Sequence, residues 1–421
     1  MADADGSFGD GTGEGVTECR GCRSERLYLF LPLGDHPLAN GFLTEDQLSE
    51  PEARFPLDAH VCLDCGLIQV ADQVPPGYFR HYVYIPSTSD QMHDHFAGLA
   101  GLMTERFLPG AGDLTIDIGC NDGLFLSFLH GQGRRTLGVD PATNIAELAR
   151  EKGVEVVNEY FTPEVARQVR ESHGPAAVVV STNTFHHIGD LDRFTLGVTL
   201  LLGEDGVFVV EVPHALELVV QNEFDGIYHE HVSQLTVKSV VDHFRRFGLG
   251  VFEVEPLAVH GGSMRVFSRL TTHGATASGV QDWIDRETER GLFSEATYDD
   301  FRTRVEGIRS ELLEQLRRLK ADGRTIAGYG ASARGNTLLN YSAIGPETLE
   351  FIADRNPLKH GLYTPGMHVP VVPVERLLES RPDYVLVIAW NFADEIVRQL
   401  DGYRRTGGSF ILPIPEPTIV S

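Results

Sequence analysis

Hydrophobic and polar positions change rhythm more than once along the 421-residue chain. From about residue 113, short apolar runs alternate with stretches of helical period, the pattern of a sheet covered by helices. Leu114 to Ile118 predicts a strand and Leu124 onward a helix. Thr136 to Val139, Ala176 to Ser181 and Val207 to Val212 predict further strands. Gly250 to Pro256 and Ser263 to Leu270 flank Gly261-Gly262 and predict a β-hairpin closing an otherwise parallel sheet. Residues 279–320 are charged and helical in period, with Trp283, Ile284, Ile308, Leu312, Leu316 and Leu319 on the apolar side, which predicts a helical connector. A second, smaller α/β pattern follows, with strands at Thr325 to Gly328, Leu349 to Ala353, Tyr384 to Ala389 and Ser409 to Leu412.

Composition narrows the function classes. A hydrophobic fraction of 42% with mean hydropathy -0.12 is that of a soluble globular chain, and the length argues for two to three domains. The formal net charge of -25 argues against a nucleic-acid partner, because phosphate neutralisation needs a basic face. No apolar run approaches the roughly 18 residues of a membrane span. Met1 to Glu18 is acidic and Gly-rich, with neither the basic nor the apolar region of a signal peptide, and reads as a disordered tail. Four of the five cysteines form two tight pairs, which fits metal binding in a reducing compartment and a cytoplasmic location.

Those pairs are Cys19-Arg20-Gly21-Cys22 and Cys62-Leu63-Asp64-Cys65. Two residues between cysteines let both thiolates face one ion, and four thiolates close a tetrahedral zinc site with no open position. Such an ion stabilises rather than catalyses. The gap between the pairs is longer than in a common ribbon, so a small subdomain must loop out between them. Beyond, Gly77-Tyr78-Phe79-Arg80-His81-Tyr82-Val83-Tyr84 and Ser87-Thr88-Ser89-Asp90 predict a half-buried strand or packed loop, with a lid over a ligand as the alternative.

The first α/β strand ends in Asp117-Ile118-Gly119-Cys120-Asn121-Asp122-Gly123, a glycine-containing turn that lets backbone approach a ligand. Asp140 ends the next strand about 20 residues on, placed to accept both hydroxyls of an adenosine ribose. A nicotinamide enzyme has the same geometry. Three details favour S-adenosylmethionine: the dinucleotide pattern G-x-G-x-x-G is absent, Asp117 and Asp122 suit an amine-bearing ligand, and a hairpin closes the sheet. The fourth strand leads into Asn183-Thr184-Phe185-His186-His187-Ile188, at the edge where ligands sit.

The densest chemistry is Asp225-Gly226-Ile227-Tyr228-His229-Glu230-His231-Val232-Ser233. A phenol, a carboxylate and two imidazoles in four consecutive positions can move protons in either direction. A solvated loop or a metal site is the plainer reading, and the cysteines already account for a metal. In the last third, Gly328-Tyr329-Gly330-Ala331-Ser332-Ala333-Arg334-Gly335 opens a helix, with Arg334 and later Lys359 as cations beside it. A phosphate there, an NAD site using Asp354, and a turn that binds nothing all remain open.

Taken in order, these motifs, with Asn336-Thr337 and Asp354-Arg355-Asn356-Pro357-Leu358-Lys359, resemble the three-domain sugar C-methyltransferases of deoxysugar biosynthesis. The resemblance implies a class I Rossmann-like methyltransferase domain with an N-terminal zinc-binding subdomain and a second, smaller C-terminal Rossmann-like α/β domain. The expected boundaries are 1–18 for the tail, 19–80 for the zinc-binding domain, 81–278 for the S-adenosylmethionine domain, 279–320 for the connector and 321–421 for the last domain. The implied substrate is a nucleotide-diphosphate keto-deoxysugar, with thymidine diphosphate as the nucleotide, methylated next to its keto group in branched-sugar and antibiotic biosynthesis. His231 is then the expected base, with Tyr228 beside the enolate oxygen, Glu230 orienting an imidazole or the sugar, and His187 lining the same side. His229 has no role. Expected cofactor contacts are Asp117, Gly119, Asn121, Asp122, Asp140 and Asn183, with Tyr82 and Ser89 from the aromatic segment, and the expected zinc ligands are Cys19, Cys22, Cys62 and Cys65. O- or N-methylation of a similar sugar, or an NAD-dependent reaction at the C-terminal turn, are the alternatives.

Overall fold

The computed structural model describes residues 16–71, 74–75, 77–271 and 276–421. The expected tail lies outside the described residues as far as residue 15. The first unit is an antiparallel sheet of β1 (Leu27–His36), β2 (Phe55–Cys62) and β3 (Ile68–Gln69). Its length fills the gap between the cysteine pairs. The face of β1 carrying Phe30 packs on the long helix Glu295–Ala321, with the Phe30 and Tyr298 rings 4.8 Å apart.

The central sheet holds β4 (Leu114–Ile118), β5 (Arg135–Val139), β6 (Val156–Val157), β7 (Ala176–Thr182) and β8 (Leu202–Pro213). After β9 (Ser233–Gln234), which leaves for another sheet, come β10 (Leu249–Leu257) and β11 (Ser263–Leu270). The spatial order is β10-β11-β8-β7-β4-β5-β6, parallel from β8 to β6, with β11 inserted antiparallel between β8 and β10. Strand order reverses at β4, whose neighbours are β5 and β7, so the crevice opens at their carboxyl ends. Every residue of β4 is buried, as a central parallel strand covered on both faces requires.

The third unit is β12 (Ile326–Tyr329), β13 (Ile352–Asp354), β14 (Val371–Pro373), β15 (Tyr384–Val387), β16 (Ser409–Leu412) and β17 (Thr418–Val420), ordered β14-β13-β12-β15-β16-β17. Only the β16–β17 pairing is antiparallel. One continuous core joins the units: Phe30 and Leu57, Phe224 and Ile227, Tyr298, and Leu338 and Ile352 belong to a single apolar cluster.

Tyr78–Arg80 and Pro86–Thr88 are short 3-10 turns, so of the two readings of the aromatic segment the packed loop holds and the strand does not. One element falls outside the expectation: β9 pairs with β3 and makes the residues after His231 the fourth strand of the first unit.

Candidate active site

The turn after β4 is shaped by one unavoidable glycine. Gly119 has φ +80°, its N–H donates to the Val139 carbonyl at 2.8 Å, and a Cβ there would stand 2.0 Å from Thr184 Oγ1. Asn121 follows at φ +48°, a conformation Asn tolerates. Asp140, at the end of β5, locks the turn: its Oδ2 accepts the Asn121 N–H at 2.9 Å and its Oδ1 accepts the Ala142 N–H at 2.8 Å. Burial raises its carboxyl above the usual range against these two bonds. Asn183, at φ +51°, closes the next strand end, its N–H donating to the Glu211 carbonyl at 2.8 Å.

Two acidic residues of the turn differ in availability. Asp117 is buried, its Oδ1 has no hydrogen-bond partner, and burial first, then the charges of Asp140 and Glu211, push its pKa well up. A group so placed gains by meeting an ammonium donor. Asp122 is already engaged: Lys152 Nζ donates to its Oδ2 at 2.6 Å and to its carbonyl at 2.8 Å. Its charge is therefore met within the protein.

The proton-handling stretch stands across the crevice. The Tyr228 hydroxyl donates to His231 Nε2 at 2.5 Å, while His231 Nδ1–H donates to the Gly226 carbonyl at 3.1 Å. The two bonds assign the tautomer, with the Nε2 lone pair facing the phenol. Burial, then the neighbouring His186 and His187, holds His231 well below the ordinary histidine value, so the ring is neutral at neutral pH. Tyr228 is pushed well above the ordinary phenol value by burial and keeps its proton. His187 lies 4.8 Å from the His231 ring, lowered by burial to about 4.

Glu230, the residue expected to orient an imidazole or the sugar, meets the first unit and the aromatic loop. It is fully buried, and its carboxylate accepts the Asn40 N–H at 3.1 Å, Asn40 Nδ2 at 2.7 Å and the Tyr78 hydroxyl at 3.0 Å, with the Tyr82 hydroxyl at 3.5 Å. It thereby ties the first unit and the aromatic loop to the stretch. His229 also acquires a place: its Nε2 meets the Phe55 and Pro56 carbonyls at 3.1 Å each, anchoring the stretch to β2. These partners lie 148 to 190 residues away, and no periodicity in the sequence points to them.

The walls enclose a cavity of about 780 Å³, lined by all the expected cofactor and catalytic residues except Glu230. The aromatic loop spans its mouth. Tyr82 N–H donates to Asn144, Asn121 Nδ2 to the Tyr84 carbonyl, and Asn356 Nδ2 to the Val83 carbonyl, while Ser89 meets Glu395 at 3.5 Å. Tyr329, Gly330 and Ser332 of the C-terminal turn line the far side. The two cations expected there face inward. Arg334 is paired with Glu223 at 3.0 Å and Asp225 at 2.8 Å and lies over the Trp390 ring, and Lys359 Nζ donates to the Ala331 carbonyl at 2.7 Å.

The four cysteines converge. Cys19 and Cys65 sulfurs are 3.5 Å apart, Cys22 and Cys62 sulfurs 3.6 Å, and all four lie within 4.8 Å of one another. A tetrahedral ion with ~2.3 Å bonds to sulfur needs sulfurs roughly 3.8 Å apart, so the set fits zinc with little adjustment. Hydrogen bonding among the four pulls Cys22 and Cys62 down and pushes Cys19 and Cys65 up, as when thiols share protons at a site built for thiolates. Arg20, between the first two ligands, donates from Nη1 to the Val232 carbonyl at 2.6 Å and from Nη2 to the Val70 carbonyl at 2.7 Å.

A parallel sheet with this strand order, a glycine turn facing a carboxylate, and a four-cysteine centre define an S-adenosylmethionine-dependent methyltransferase with a structural zinc. Family models match in the same order: a zinc binding domain over residues 19–79, a methyltransferase domain over 94–254 and a C-methyltransferase C-terminal domain over 258–415. The chain is 36% identical over 408 residues to the C-methyltransferase NovU of Streptomyces niveus, covering 96% of this chain and 97% of that one. It belongs to that C-methyltransferase family. Among solved structures, it is similar to a SAM-dependent methyltransferase from Anabaena variabilis ATCC 29413 (TM-score 0.34, 13% identity, 46% of this chain and 97% of that one). It is also similar to the PH0226 protein from Pyrococcus horikoshii OT3 (TM-score 0.37, 16% identity, 46% and 98%). No helix among the described residues is long and apolar enough to cross a membrane.

Proposed function

We propose that this C-methyltransferase acts on a nucleotide-linked keto-deoxysugar, at the carbon next to the keto group, through an enolate. The observation that carries this reading is the Tyr228–His231 pair, hydrogen-bonded at 2.5 Å on the wall of the cavity that both glycine turns share. A sugar carbon becomes a nucleophile only after losing a proton, and a neighbouring ketone makes that loss affordable by delocalising charge onto oxygen. His231 Nε2 is the base: the ring is neutral, its lone pair faces the cavity side of Tyr228, and its tautomer is held by Gly226. Substrate entry turns the Tyr228 hydroxyl from that nitrogen to the carbonyl oxygen, where a donor stabilises developing negative charge. His187 lines the same wall.

Bound S-adenosylmethionine supplies an electrophilic methyl group. Asp140 would hold the ribose, Asp117 would meet the amino group, and the Gly119–Asn121 backbone, Asn183, Tyr82 and Ser89 would surround the rest. Asp122 contributes through the backbone of the turn, since Lys152 takes its carboxylate. The sugar nucleotide lies toward Tyr329, Gly330 and Ser332, and thymidine diphosphate is the nucleotide that the family resemblance implies.

Solvent exchange tests the reading. In deuterium oxide, without S-adenosylmethionine turnover, the protein exchanges deuterium into the sugar carbon, and His231→Ala abolishes this while still binding S-adenosylmethionine. Exchange that survives in His231→Ala removes that residue as base, and a wild-type protein that methylates without any exchange counts against a free enolate.

A further inference from the structure

His186 touches no reacting atom in the chemistry above, yet it is the most confined imidazole of the cavity wall. It sits in the turn Phe185–His187 after β7, 1% exposed, and neither of its ring nitrogens has a hydrogen-bond partner. A neutral imidazole carries one donor and one acceptor, and leaving such a group unmet in a buried place costs roughly 1–3 kcal/mol. His187 Nδ1 is unpartnered as well. The His186 ring lies 4.4 Å from that of His187, with planes 32° apart, and 4.2 Å from that of His231, edge-on at 82°. One nitrogen from each of the three falls within 4.8 Å of the other two.

We propose that His186, His187 and His231 form a second metal site, separate from the four cysteines, which takes a borderline divalent cation such as Zn2+ and inhibits the enzyme when filled. Three imidazoles are a ligand set that suits Zn2+, Ni2+ or Cu2+, and they leave a fourth position for water or the Tyr228 oxygen. A tetrahedral ion with ~2.1 Å bonds to nitrogen needs the nitrogens roughly 3.4 Å apart, so the rings must close somewhat. His186 can turn to do so, because no hydrogen bond holds it. At His231 the ion competes with the Tyr228 hydroxyl and the Gly226 carbonyl for the ring nitrogens. The positive charge of Arg334 works against a cation here, but Glu223 and Asp225 pair with that guanidinium at 3.0 and 2.8 Å. The inhibitory half rests on the proposed base role of His231, since a lone pair held by an ion takes no proton.

The test uses the full chain with its cysteine site already filled by zinc. Titration with Co2+, without cofactor or substrate, is expected to add one equivalent with visible bands of nitrogen ligation and no thiolate charge-transfer band. His186→Ala weakens that binding tenfold or more. In the methyl-transfer assay Zn2+ inhibits reversibly, chelator restores the rate, and His186→Ala needs at least tenfold more Zn2+ to lose half of its own metal-free rate. If the alanine variant folds poorly, His186→Phe fills the same space without a ligand. No second equivalent, or unchanged binding in both variants, overturns the site. Binding without inhibition overturns the inhibitory half and identifies the base assignment, not the metal site, as the part that failed.

Discussion

Arg20→Ala separates the two jobs of the zinc unit. Arg20 sits between ligands Cys19 and Cys22 but binds no metal; its guanidinium holds the Val232 and Val70 carbonyls at 2.6 and 2.7 Å, one residue from His231. Hydrogen bonds from a charged donor contribute about 1.5–3 kcal/mol each. Because the side chain is only partly buried, the lower half of the two-bond range applies, about 3 kcal/mol in all. Loss of the clamp lets β9 shift on β3, to which the pairs Ile68–Gln234 and Gln69–Ser233 and the Val70 N–H bond to the Val232 carbonyl at 3.2 Å still tie it. A displacement of ~1 Å at a reacting group costs on the order of 10²-fold in rate. The expected outcome is a variant that keeps one zinc per chain and wild-type affinity for S-adenosylmethionine, melts several degrees lower, and loses 10- to 100-fold in kcat. Metal content, calorimetry with S-adenosylhomocysteine, thermal unfolding and steady-state rates measure the four quantities. A wild-type kcat with intact zinc would refute the idea that this knuckle positions the catalytic strand.

Other outcomes follow from single contacts. Gly119→Ala puts a Cβ 2.0 Å from Thr184 Oγ1 at φ +80°, which costs about 2–4 kcal/mol from strain and overpacking together; urea unfolding and S-adenosylmethionine affinity should both fall, and unchanged affinity would separate the turn from the cofactor. Cys62→Ser removes one of four converging thiols and is expected to lose zinc and unfold at lower temperature, so a stable, fully active zinc-free variant would contradict the structural role. His36 is 5% exposed and lowered by burial to about 4, against ~6.5 when unfolded. Its contribution is complete above pH 6.5 and is lost as pH falls toward 4, amounting to about 2 kcal/mol already lost at pH 5. Urea unfolding at pH 7 and pH 5 should show that difference shrink in His36→Gln, and an unaltered pH slope would exclude His36 as its source.

The parts of this protein that can be read from the sequence are those made by neighbours along the chain. Leu114 to Ile118, the Gly119 turn and Asp140 are legible because strand, turn and helix follow one another and the carboxylate falls a fixed distance on. The inserted hairpin is legible because Gly261-Gly262 breaks two apolar runs. Strands of two or three residues, such as β6, β14 and β9, show no alternation to read. Partnerships across the fold leave no local mark either. Glu230 reads as a catalytic carboxylate by its company, and only the fold brings Asn40, Tyr78 and Tyr82 to it. Arg334 and Lys359 read as phosphate donors beside a glycine turn, and folding commits one to Glu223 and Asp225 and the other to the Ala331 carbonyl.

That commitment explains why three units surround one small stretch. The C-terminal turn repeats the wiring of the central one: Asp354 Oδ2 accepts the Ala331 N–H and Oδ1 the Asn356 N–H, both at 2.7 Å, as Asp140 does with Asn121 and Ala142. Its outward reach differs. Arg334 and the Trp390 indole N–H, at 2.6 Å, both grip Asp225 at the head of the stretch. The first unit grips the other end, through Phe55 and Pro56 at His229, Asn40 at Glu230, and Arg20 and β3 at Val232 to Gln234. The central domain supplies the crevice but few of these bonds. Tyr228 and His231, fixed in relative position by a single 2.5 Å bond, thus depend on both outer units for their place over the cavity. A methyltransferase domain cut free at residues 94–254 would keep the Gly119 turn and Asp140 but lose Tyr82, Ser89 and β11, and with them the frame that holds Tyr228 and His231 over the cavity.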